Sequence, residues 1–60
     1  MINRSDIITT AFDAAGYVEE AQTALRWAST YGDASKVTVA RQRLSRAMEL
    51  LDEISVEDAA

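Results

Sequence analysis

Between Ile7 and Ala28 the residues Ile7, Ala11, Ala14, Val18, Ala21, Leu25 and Ala28 succeed each other at steps of four and three, and none is polar. This is the spacing of one face of an α-helix, and a strand, whose side chains alternate every second residue, cannot hold it. A second seam begins at Val37 and runs through Ala40, Leu44, Ala47, Leu51 and Ile54 at the same steps. Between the seams lies one short breaker, Ser29-Thr30-Tyr31-Gly32-Asp33. A link this short returns the second helix antiparallel to the first. The expected fold is therefore all-α: an antiparallel two-helix hairpin in a single domain over 1–60. The spacing predicts a helix over about 5–30, a turn at about 31–33, a helix over about 34–55 and a frayed tail at 56–60.

The helix ends can be read locally. Ser5 suits an N-cap, with Asn3 as its rival, because each side chain can accept from a free backbone N–H of the first turn. Asp6 then places negative charge at the positive end of the helix dipole. Gly32 suits the left-handed position that closes a helix, and Asp33, or else Ser35, can cap the next one. Gly16 is the awkward residue. Asp13-Ala14-Ala15-Gly16-Tyr17 reads locally as a helix end followed by a helix start, which would give three short helices with a break at Gly16. Against this, the seam passes from Ala14 to Val18 without losing phase, and Gly16 is expected opposite the seam. A glycine there costs ~1 kcal/mol of helix propensity, which a packed helix absorbs. One continuous helix is the expectation.

Sixty residues without a cysteine cannot be stapled by disulfides. The chain also has no histidine, so the commonest general base and zinc ligand are missing. Chains of this size bury a small fraction of their surface and rely on disulfides, metals or self-association for stability. Self-association is the aid that remains. The residues beside the seams fit this. Ile8, Phe12 and Ala15 form a second apolar strip along the first helix, and Met48 and Leu50 flank the second seam on opposite sides. The apolar stripes are wider than a two-helix contact requires, so two hairpins are expected to pair as a homodimeric four-helix bundle, with these five residues in the contact. Within the hairpin, Leu25, Leu44, Leu51 and Ile54 are expected to supply most of the burial, at about 1.5–3 kcal/mol each when fully buried.

Charge is unevenly placed. Lys36, Arg41, Arg43 and Arg46 crowd the first half of the second helix, and a hairpin sets Arg43 and Arg46 level with Glu19 and Glu20. Asp6, Asp13, Glu49, Asp52, Glu53, Glu57 and Asp58 gather at the open end, with Arg4 opposing them. An antiparallel dimer would lay each acidic end beside the partner's basic loop end, and is preferred to a parallel one.

No catalytic constellation stands out. Glu49 and Glu53, four apart on one helix face, are spaced to share a cation, but bundle metal sites of this kind also use a Glu-x-x-His motif. The serines have no histidine to activate them, and a lone Gly32 makes no phosphate-binding loop. Catalysis, a cofactor and a metal are not expected. The function expected is a non-enzymatic protein–protein interaction module, a small adaptor, regulator or inhibitor. Trp27, Tyr31 and Tyr17 are its partner-binding candidates, because aromatic residues dominate protein interfaces. The alternative is a nucleic-acid-binding helical dimer contacting phosphates through Lys36, Arg41, Arg43 and Arg46. A net charge of −4 opposes that reading and allows a third, an acidic mimic that blocks a nucleic-acid-binding protein. No long apolar run suggests a signal peptide or membrane span, so a cytoplasmic protein is the expectation. No motif identifies a family.

Overall fold

The computed structural model describes residues 3–59, and their side chains over 3–54. Helix α1 spans Arg4–Tyr31 and helix α2 spans Ala34–Ala59. They pack along their length as an antiparallel hairpin of 45 × 17 × 11 Å. The smallest dimension is about the thickness of one helix, so the hairpin is a single layer with two broad faces.

Both helix starts are capped by side chains. Asn3, rather than Ser5, is the N-cap of α1: it is extended (φ −91°, ψ 168°) and its side chain accepts from the Asp6 N–H, at 2.9 Å. Ser5 lies inside the first turn. At the other end Gly32 takes φ 66°, ψ 32°, and its N–H donates to the Ala28 carbonyl. This left-handed conformation is one that only glycine adopts without strain. Asp33 starts α2: its Oδ1 accepts from the Ser35 N–H at 3.0 Å and from the Ser35 hydroxyl at 2.6 Å. The link is thus two residues, Gly32 and Asp33. The span of helix α2 includes residues 56–59, which the spacing had given to a tail, and Ala60 lies outside the described residues.

Helix α1 is continuous through Gly16, which overturns the three-helix alternative. Gly16 is not opposite the seam, however. It is half-buried on the flank of α1, near Arg46 and Leu50 of α2.

The interior departs most from expectation. Among the described residues those buried are all alanines: Ala14, Ala21, Ala24, Ala40 and Ala47. Leu25, Leu44 and Leu51 do not supply the burial expected of them, being 43, 40 and 46 % exposed, and Ile54 is half-buried. The seams explain why. Each consists of two columns seven residues apart. Ala14, Ala21 and Ala28 share one column of α1, and Ala40 and Ala47 share one column of α2; Val18 and Leu25, and Val37, Leu44 and Leu51, occupy the other columns. Helix axes approach most closely where side chains are smallest, so the hairpin closes on the alanine columns. The large columns are displaced to one edge of the contact. Ala24, which belongs to neither column, joins this interior with Ala21 and Ala40.

Candidate interaction surfaces

Closure on alanine gives the two broad faces different chemistry. One is apolar. Leu25 from α1 and Val37, Leu44 and Met48 from α2 line a shallow groove over Ala40, with Arg41 and Ser45 on its margin. Leu51, seven residues beyond Leu44, continues the same row. Met48 is 64 % exposed. The large side chains of this face lean on the alanine interior without being covered by it.

The other face is tied together by charge and aromatic contacts. Arg43 donates through Nε to Oε1 of Glu20 across the hairpin at 2.8 Å. Lys36 Nζ stands 5.6 Å above the Trp27 ring, within cation–π range. Trp27 and Tyr31, one turn apart, have ring centroids 4.7 Å apart at an interplanar angle of 49°. Further toward the open end, Phe12, Gly16, Tyr17 and Leu50 surround a second hollow with Glu20 and Arg46. Arg46 pairs with Glu49 of its own helix at 3.3 Å, not across the hairpin as its level with Glu19 and Glu20 suggested. Tyr17 first, and Glu49 second, favour its charged form and raise its pKa above the ordinary arginine value. Both ion pairs are exposed, so each contributes under ~1 kcal/mol.

Residues expected to act together are divided between these faces. Phe12 and Leu50 meet on the aromatic face, whereas Met48 lies on the apolar one. Ile8 and Ala15 are exposed along α1. Trp27 and Tyr31 form a tilted aromatic pair, but Tyr17 belongs with Phe12 rather than with them. Lys36, Arg43 and Arg46 sit on the aromatic face, while Arg41 borders the apolar face. Sequence reasoning placed Leu25, Val37, Leu44 and Leu51 in the interior and so missed them as surface. The signal that would have found them is the sorting of alanines into one column and large residues into the other.

At the loop, the Ser35 hydroxyl and then its backbone N–H hold the Asp33 carboxyl below its ordinary pKa of 3.8, with Lys36 adding to the effect. Among the described residues no three carboxylates converge to hold a metal ion, and no helix is long and apolar enough to cross a membrane. No protein-family model, curated protein or solved structure matches this chain.

Proposed function

We propose that the chain is a non-enzymatic protein-interaction module that works as a self-associating helical hairpin, in the manner of a small adaptor, regulator or inhibitor. One observation carries the reading: no side chain larger than alanine is buried among the described residues. Alanine methyls bury little apolar area, and a single 60-residue layer has small means to offset the entropy of ordering its backbone. The apolar face has side chains worth about 1.5–3 kcal/mol each on full burial, and Leu25, Val37, Leu44, Met48 and Leu51 are still 40–64 % exposed in the isolated hairpin. Association supplies the cover. The aromatic face, with Trp27 half exposed and Tyr31 two-thirds exposed, remains available to another protein. The division of the basic side chains between two faces weighs against a continuous phosphate-binding track.

Sedimentation equilibrium over a hundredfold range of concentration tests the reading. A dimer or higher assembly at micromolar concentration is the expected result. A folded monomer throughout would overturn it.

A further inference from the structure

The apolar face has a lining and a charge pattern suited to one occupant, and we propose that this occupant is a second copy of the chain, laid antiparallel across α2 and held in register by reciprocal Arg41–Asp52 pairs. The proposal rests on the self-association argued above and specifies which face makes it and in which direction.

Area is the first argument. A compact monomer of 6.6 kDa exposes about 3,900 Å², whereas this hairpin exposes 4698 Å². The excess, about 800 Å², comes with the elongated shape of the hairpin and is similar in size to one partner's share of a standard protein–protein interface. The apolar face can contribute to it, because Leu25, Val37, Leu44, Met48 and Leu51 are 40–64 % exposed in the hairpin.

Register is the second. Arg41 and Asp52 are eleven residues apart, three helical turns, and so share one side of α2. Both are exposed. Both border the row of Leu44, Met48 and Leu51. Their midpoint falls between Arg46 and Ala47, which is also the midpoint of α2, Ala34–Ala59. The midpoint of Leu44 and Met48 lies within one residue of it. A two-fold axis through this point, perpendicular to the helix, overlaps the two hairpins along their full length. The same axis brings Leu44 over the partner's Met48 and Arg41 beside the partner's Asp52, twice. A parallel pairing would set Arg41 against Arg41 and Asp52 against Asp52.

Overall charge agrees. Residues 18–46, the loop half, contain five basic and three acidic residues; the open half contains one basic and seven acidic. Antiparallel pairing joins unlike halves and parallel pairing joins like ones.

A charge exchange tests the arrangement in the full chain, with sedimentation equilibrium at low salt as the readout and far-UV circular dichroism confirming helicity. Arg41→Glu and Asp52→Arg are each expected to weaken dimerisation about tenfold, since each change turns two attractions per dimer into repulsions. The double variant is expected to return to within about threefold of wild type, because it restores opposite signs in reverse. Single variants without effect, or a double variant as weak as the singles, would overturn the antiparallel register. Weakening by Phe12→Glu but not by Leu44→Glu would move the interface to the aromatic face and overturn the proposal. A wild-type monomer would remove self-association itself, so the two failures are distinct.

Discussion

The two glycines have opposite roles, and the difference is physical. Gly32 has φ +66°, a conformation that L-residues adopt at a cost. Gly16 is helical, and a methyl group added to it would meet nothing within 4 Å. Gly16→Ala should therefore stabilise the protein by ~1 kcal/mol through helix propensity alone, raising the melting temperature by about 4–8 °C. Gly32→Ala should destabilise it by ~1–2 kcal/mol. Thermal denaturation of both variants checks the pair. Asp33 makes a prediction with pH. Its folded pKa lies below 3.8, so the stability it contributes is complete above the unfolded value and is lost as pH falls through the folded one. The penalty of Asp33→Ala should be constant from neutral pH to about 5, shrink below 3.8 and vanish once the carboxyl is protonated in both states. Denaturation curves at pH 7, 5 and 2 measure it. A penalty unchanged at pH 2 would assign the cap to something other than the carboxylate.

At the scale of the element, α1 and α2 are joined by their smallest side chains. Enlarging one should push the helices apart. Ala21→Leu or Ala40→Leu, at positions 1 % exposed, should cost about 1–3 kcal/mol through overpacking, although leucine is more hydrophobic than alanine. Arg43→Ala, which breaks the exposed pair with Glu20, should cost under ~1 kcal/mol. Chemical denaturation ranks them, and the reverse order would mean that the helices are held by charge rather than by close approach. The same packing sets the limit of what the sequence makes legible. Period and breaker determine a hairpin, because four-and-three spacing and a Gly32-Asp33 link have few other solutions. They do not determine which half of a two-column seam faces the partner helix. That depends on side-chain volume across both helices, and taking hydrophobicity for burial placed Leu25, Leu44 and Leu51 inside. Arg46 illustrates the same gap for charge: its level in the hairpin is set by helix rise, but its choice of Glu49 over Glu20 depends on side-chain reach.

For the whole molecule, the pairing proposed across the leucine row would couple folding to association. An obligate dimer has no stable folded monomer, so its stability depends on concentration. The enthalpy of unfolding such a dimer scales with both chains, at about 0.7 kcal/mol per residue, or roughly 84 kcal/mol for the pair. From that enthalpy the melting temperature should rise by about 6 °C for each tenfold increase in protein concentration. A self-sufficient hairpin would melt at one temperature at every concentration. Added salt distinguishes the forces within the dimer. Ion pairing between unlike halves is screened by salt, whereas burial of Leu44, Met48 and Leu51 is not. Raising salt from about 50 mM to 500 mM should therefore lower the melting temperature while leaving its dependence on concentration intact. Loss of the concentration dependence in Leu44→Glu, with its retention in Tyr31→Ala, would locate the coupling on the leucine row. The opposite pattern would locate it on the aromatic face, and the leucine row would then have to be covered by some other protein.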